Sequence, residues 1–226
     1  MKKQNTVKLL KIGFIFLTAF ILSRPAFAFQ AINETAELLP EGYYKLGLAP
    51  QLIVSDGGGF NVGAFYDMYL IDGINARVEL GGGKTDFWTT ASAKWIPIPD
   101  IDRQPAAGLR LAATYTRHST DNGTIKESAN FYNIQFAPIV SKKADTRYGE
   151  MIPYVALPIT FVSSDKLVDL TNSKTKTETQ FAIGAEWFQN KEMNYGAEFD
   201  LNLNNSFSSI SAFISFPFDG NIGYKK

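Results

Sequence analysis

Eight charged residues share one feature of placement: Lys45, Asp67, Arg77, Glu79, Lys94, Arg110, Glu186 and Glu198 all fall on the polar side of stretches in which apolar and polar residues alternate. Four are basic and four acidic, so a set sharing one enclosed wall can neutralise itself. Their chemistry is electrostatic. Such a group can tie a wall together, order a solute or block a passage. Burial demands the balance, because an unpaired buried charge is costly.

Residues suited to covalent chemistry are few. The one histidine, His118, precedes Ser119, Thr120 and Asp121. A nucleophile–base–acid arrangement needs the hydroxyl and the acid at opposite nitrogens of the ring. Residues adjacent in sequence rarely reach such positions, so the sequence predicts a solvated histidine in a loop just past a strand. There is no cysteine, which removes thiolate nucleophiles, disulfides and thiolate metal sites. Gly81-Gly82-Gly83-Lys84-Thr85 lacks the spacing and the following helix of a phosphate loop and reads as a strand end and turn. Asn33-Glu34-Thr35 and Asn122-Gly123-Thr124 fit glycosylation sequons, which mean little if the chain is bacterial. No catalytic residue, cofactor-binding residue, cofactor or metal ligand is assigned.

The elements that must position the charges are strands. In Phe60 to Leu70, the residues Phe60, Val62, Ala64, Tyr66, Met68 and Leu70 fall on one side, with Asn61, Gly63, Asp67 and Tyr69 on the other. The same period predicts ten strands, over 42–54, 60–70, 74–83, 87–96, 106–117, 129–140, 152–163, 177–188, 193–204 and 207–218, with eight to twelve compatible with the pattern. Asp56-Gly57-Gly58-Gly59, Asp72-Gly73, Asp121-Asn122-Gly123 and Asn204-Asn205 supply turn residues that tolerate positive φ. Prolines 97, 99 and 105 bracket another connection, where no ladder hydrogen bond is needed. If 71–73 is a three-residue turn, Leu70 pairs with Ile74 and Asp67 falls opposite Arg77.

The first 28 residues read as a leader. Lys2, Lys3, Lys8 and Lys11 precede an apolar run from Ile12 to Leu22, and Ala26-Phe27-Ala28 offers a small-x-small cleavage pattern. Cleavage is expected after Ala28, because that run is too short to cross a membrane of about 30 Å. Removing the five basic residues of the leader from a chain of 22 basic and 22 acidic leaves a net charge of −5. That balance argues against nucleic acid as a partner. The expected organisation is a signal peptide (1–28), a periplasmic lead-in (29–41), a barrel (42–218) and a periplasmic tail (219–226).

Alternation alone does not say which wall is inside. An apolar interior would make a soluble periplasmic lipocalin-like carrier of an apolar ligand; an apolar exterior would face lipid. The polar wall collects Gly47, Ala49, Gly63, Gly81, Ser92, Gly108, Ala112, Ala137, Ala156, Gly184 and Gly196. Small residues suit a narrow tube interior better than a solvent-facing wall. On the apolar wall, Phe60, Phe87, Tyr115 and Tyr132 would form an outer ring, and Tyr44, Trp95, Trp187, Tyr195 and Phe218 an inner one. These are the interfacial girdles of a membrane barrel.

With these features the chain resembles small bacterial outer-membrane β-barrel proteins as a broad class. Ile214-Ser215-Phe216-Pro217-Phe218 looks like the closing strand of such barrels, although eight residues follow the final aromatic. The resemblance implies an all-β, antiparallel up-and-down transmembrane barrel in the outer membrane of a Gram-negative bacterium. Its implied partners are outer-membrane lipid, the barrel-assembly machinery during insertion, and a small solute or surface ligand of unknown kind. It also implies a non-enzymatic barrel with a largely occluded, charged lumen, acting as a structural or surface-binding barrel or a narrow solute pore. A membrane-embedded lipid-modifying hydrolase is the enzyme alternative; lipid A deacylases of this shape carry His-x-Ser, which His118-Ser119-Thr120 does not match.

Overall fold

The computed structural model describes residues 31–55, 58–121, 126–147, 149–165, 175–188 and 192–220. The leader with its cleavage site, most of the polar stretch 164–176, the Asn122 sequon and the tail beyond Gly220 lie outside the described residues. Twelve strands are present: β1 (Tyr43–Ile53), β2 (Gly59–Ile71), β3 (Ile74–Gly83), β4 (Phe87–Ile98), β5 (Ala106–Asp121), β6 (Lys126–Ser141), β7 (Ala144–Thr146), β8 (Gly149–Ala156), β9 (Ile159–Ser164), β10 (Thr175–Phe188), β11 (Asn194–Asn204) and β12 (Ser209–Asp219).

All pairings are antiparallel, and β12 returns to β1 from Tyr43↔Asp219 to Ile53↔Ser209, which closes the sheet. Closure leaves the ten-stave wall itself without an open edge for another chain to template on. The barrel wall has ten staves, because β8 and β9 form one interrupted strand between β6 and β10. The interruption falls at Leu157-Pro158, since proline has no N–H for the ladder. The gap is bridged on both sides: Leu157 N–H donates to Pro138 O and Gln180 N–H to Pro158 O, at 3.1 and 3.0 Å. β7 pairs only with β8 and forms a small flap beyond the wall.

Two expectations are corrected. The hairpin between β2 and β3 closes at Ile71↔Ile74 around a two-residue Asp72-Gly73 turn, with a bulge between Tyr69 and Ile71. The bulge absorbs the extra residue, so Asp67 still meets Arg77. Glycine serves the turn because φ at Gly73 is +77°. The second correction concerns the loop predicted over 118–128: the β5–β6 ladder runs on to Asp121↔Lys126. His118 therefore sits on a strand, buried, rather than in a solvated loop.

The polarity is inverted relative to a soluble protein. Leu48 is 51% exposed while Gln51, three residues on, is fully buried. Leu46, Val78, Leu111, Ile134, Phe161 and Leu201 are exposed on the outer wall, and every charge of the predicted belt is buried within. A lipocalin-like carrier requires the opposite arrangement.

The interior is lined by glycines, and each of four lies directly across the ladder from a buried aromatic: Gly47↔Phe65, Gly81↔Trp88, Gly184↔Tyr154 and Gly196↔Phe213. The rings lie on the bare backbone. A Cβ built at Gly196 would stand 2.1 Å from the Phe213 ring, and one at Gly81 2.3 Å from Trp88. Large side chains thus fit a narrow lumen by lying over positions that have none.

Candidate functional site: the charged interior

Each belt charge comes from an inward position of a strand. Lys45 lies on β1, Asp67 on β2, Arg77 and Glu79 on β3, Lys94 on β4, Arg110 on β5, Glu186 on β10 and Glu198 on β11. Arg77 Nη2 donates to Asp67 Oδ2 at 2.8 Å while Arg77 Nε donates to Asp67 Oδ1, a two-pronged grip. The Arg77 guanidinium also lies 4.2 Å above the Phe65 ring centroid. Lys45 Nζ reaches Glu186 Oε1 at 3.1 Å and Asp67 Oδ2 at 3.5 Å. Arg110 Nη2 donates to Glu79 Oε1 at 3.0 Å and Arg110 Nη1 to Gln135 Oε1 at 2.5 Å.

Glu198 has no basic partner in this network. It is neutralised by the main chain. Residues 31–36, expected in a periplasmic lead-in, are all buried inside the barrel. Ile32 N–H donates to Glu198 Oε1 at 2.7 Å and Asn33 N–H to Oε2 at 2.8 Å. Consecutive N–H groups aimed at one carboxylate make an anion cradle, and the φ of +47° at Asn33 shapes it. The Tyr154 hydroxyl donates to Glu198 Oε2 at 2.6 Å, and the Asp200 carboxyl shares a further hydrogen bond with Glu198.

The opposite side of the same segment faces cations. Arg77 Nη1 donates to the carbonyls of Ile32 and Asn33, both at 3.2 Å, and Lys94 Nζ donates to the Thr35 carbonyl at 2.8 Å. Glu34 lies between two guanidiniums, 2.7 Å from Arg77 Nε and 3.7 Å from Arg110 Nε. The Asn33 amide accepts from Ser211, and the Ala36 N–H donates to Ser141 Oγ, at 2.9 and 3.1 Å. Glu198 on β11 takes the N–H side, and Arg77 on β3 and Lys94 on β4 take the carbonyl side. The field across the lumen thereby orients an extended peptide.

Ala31 packs with Ala49, Phe65, Trp88 and Phe213, while Ile32, Ala36 and Leu38 pack with Ile96, Ile139 and Tyr154. The segment leaves the barrel past Pro40 and turns into β1 at Gly42, whose φ is +77°. Strand patterning does not reveal this, because 31–39 has neither strand alternation nor an unbroken apolar run. The signals available were Glu34, an additional acidic residue outside the strands, and the inward aromatics Phe65, Trp88 and Tyr154, which sit at polar parity opposite glycines.

His118 faces inward near the far end of the barrel, and Ser119 is exposed on the other face of the same strand. Histidine and serine therefore point away from each other. The aromatics Tyr44, Phe60, Phe87, Trp95, Tyr115, Tyr132, Trp187, Tyr195 and Phe218 all lie outside the buried interior. Several meet in pairs at strand ends: Tyr44 stacks on Tyr66 and Phe218 at centroid distances of 5.8 and 5.7 Å, Tyr115 lies 5.6 Å from Tyr132, and Trp187 6.2 Å from Tyr195.

No family model matches the chain, and no curated protein does. Solved structures are similar to the chain at low identity. The beta domain of the Bordetella autotransporter Brka is 12% identical with a TM-score of 0.46, and the match covers 78% of this chain and 99% of that one. The translocator domain of the autotransporter NalP from Neisseria meningitidis is 10% identical with a TM-score of 0.41, over 81% of this chain and 90% of that one. The outer membrane protein Omp33 of Acinetobacter baumannii is 9% identical with a TM-score of 0.36, over 79% and 99%. The chain is an all-β protein whose closed antiparallel barrel is built from ten staves.

Proposed function

We propose that this chain is an integral outer-membrane β-barrel, non-enzymatic, whose resting lumen is shut by residues 31–38 and the charges that hold them. It then serves as a structural or surface-binding barrel. The observation that carries the reading is the double cradle of the segment, N–H groups on Glu198 and carbonyls on Arg77 and Lys94. A passage used for bulk solute would not be filled by the protein's own main chain. An apolar outer wall of staves that reach or exceed the 9–11 residues a tilted spanning strand needs supports insertion in lipid.

This reading includes export by a leader cut after Ala28, insertion by the barrel-assembly machinery and contact with outer-membrane lipid. It also takes the end carrying residue 42 as periplasmic and the exposed aromatics as interfacial girdles. Planar-bilayer recording tests the closed lumen. Conductance near zero, with rare brief openings, is expected; a steady opening of general-porin size would overturn the closed state. A narrow solute pore is the second reading, favoured by the cavity at the near end described below. Extraction into buffer without detergent would refute membrane insertion itself, and sequencing of the exported N-terminus checks the cleavage site.

A further inference from the structure

Between residues 34–40 and the barrel wall, at the end where β1 begins, lies a cavity of about 160 Å³. Its rim includes Tyr43, Phe188 and Pro217, residues at or near strand ends, so it opens toward that mouth. The charged lining is acidic, with Glu34, Glu37, Asp67 and Glu186 against Lys45 and Lys94.

Four buried oxygens of this lining have no hydrogen-bond donor: Glu34 Oε2, Glu37 Oε1, Asn75 Oδ1 and Asn194 Oδ1. Asn75 is 6% exposed and Asn194 1%. The two lysines are engaged elsewhere. Lys45 Nζ lies against Glu186 and Asp67, and Lys94 Nζ donates to the Thr35 carbonyl. Glu37 pairs through Oε2 with Lys143, a half-exposed cation that water screens, while its Oε1 stays buried. Each open acceptor costs free energy that a ligand donor would recover.

The interior also carries more carboxylates than cations. Among the described residues, Glu34 and Asp200 add two buried acids to the balanced belt, Glu178 being paired with Lys176 at the far end. The hydrogen bond between Asp200 and Glu198 needs one proton between two carboxyl groups. One negative charge is left over, and burial favours a cation to meet it.

The chemistry of that cation follows from the lining. Among the described residues no three acidic or histidine side chains converge as metal ligands. Leu38, Leu39, Pro40 and Phe188 give the cavity an apolar side, which a hydrated ion would not use. A primary ammonium brings three N–H donors. Asn75 on β3 and Asn194 on β11 lie four staves apart, about 19 Å around the wall at roughly 4.8 Å per strand, so one head group does not serve both. A second donor belongs at the other end of the ligand, and the single excess charge requires it to be neutral. An engineered cavity of about 150 Å³ accommodates benzene, so a space of this size suits roughly six non-hydrogen atoms.

We infer that this cavity binds a small amino alcohol, its ammonium donating to Glu37 Oε1 and one asparagine oxygen, its hydroxyl to the asparagine oxygen opposite, and its carbon chain lying against Leu38 and Phe188. The site needs neither a conducting lumen nor membrane orientation, so it stands or falls apart from the function proposed above.

Calorimetric titration of the refolded full chain in detergent at neutral pH, with 4-amino-1-butanol, n-butylamine, 1,4-butanediol and magnesium chloride, tests it. The amino alcohol should bind saturably, n-butylamine roughly tenfold more weakly for want of the second donor, and the diol and magnesium not at all. Glu37→Gln should weaken the amino alcohol at least tenfold while the heat-modifiable gel shift of the folded barrel is kept. Lys84→Gln, at the far end, should leave binding unchanged. Should Glu37→Gln fail to fold, the asparagines decide: Asn75→Ala and Asn194→Ala should each weaken the amino alcohol, and one of them should leave n-butylamine alone. No saturable binding of the amino alcohol, unchanged binding in Glu37→Gln, n-butylamine equal to the amino alcohol, or the diol or magnesium binding as tightly would each overturn the inference.

Discussion

Arg77 and Asp67 face each other across one rung of the β2–β3 ladder, and the guanidinium grips both carboxylate oxygens. The pair sits at the centre of everything buried in the barrel. From the same guanidinium, bonds run to the carbonyls of Ile32 and Asn33, and an ion pair to Glu34. Arg77→Met should therefore strand Asp67 and Glu34 together. Loss of one partner from a buried pair costs about 3–5 kcal/mol. Urea unfolding of the refolded barrel should show a loss of that order, larger than for Asp67→Asn, which leaves Arg77 its bonds to the segment.

Glu198 is the other anchor, and it acts on seating more than on the wall. In Glu198→Gln an amide N–H₂ would confront the N–H of Ile32 or Asn33, leaving a buried donor unpaired at about 1–3 kcal/mol. Bilayer recordings should then show openings more often than in the natural chain. Because the chain has no cysteine, Asn33→Cys combined with Ser211→Cys gives a clean reporter. Their side chains meet at 2.9 Å in the natural protein, so a short thiol crosslinker should join them and suppress the openings. Failure to crosslink in the folded barrel would place the segment elsewhere.

Glycine 81 tests the aromatic packing. A Cβ there would meet Trp88 at 2.3 Å and the Val62 carbonyl oxygen at 2.4 Å. The ring can turn aside, but the backbone oxygen has nowhere to go. Gly81→Ala should cost about 1–3 kcal/mol as overpacking. Trp88→Ala, which empties the same space, should cost about 3–5 kcal/mol. Chemical denaturation of the two variants and of the double variant would show whether the costs are coupled, as contact predicts.

Acid should loosen one clasp at the near end. Asp100 accepts from Lys142 Nζ and, at 2.7 Å, from the Lys143 N–H, and these bonds, that of Lys142 first, hold its carboxyl below the ordinary aspartate value. A depressed folded value means the clasp contributes fully above the ordinary pKa of about 3.9. The contribution is lost as pH falls through the lower folded value. The protection factor of the Lys143 amide against hydrogen exchange should thus stay high at neutral pH and fall on acidification, and Asp100→Asn should remove that dependence.

Much of the wall was legible because alternation reports the face of each residue regardless of its neighbours. Asp67 and Arg77 were paired from the sequence even though the turn was misjudged, since a bulge at Leu70 restored the count. The length of β5 and β6 was not legible: Ser119 to Ser128 is polar, and only pairing with the opposite strand makes such residues a ladder. His118 went with them.

The sequence by itself determined two walls, one apolar and one carrying eight charges, because a period of two leaves each side chain only two directions. Which charge meets which was decided by the tertiary structure, since register and curvature set distances that parity does not. The same holds for residues 31–36. Their place in the lumen depends on Glu198 from β11 and Arg77 from β3 reaching one peptide from opposite sides, and no local pattern in the segment encodes a partner more than 160 residues away.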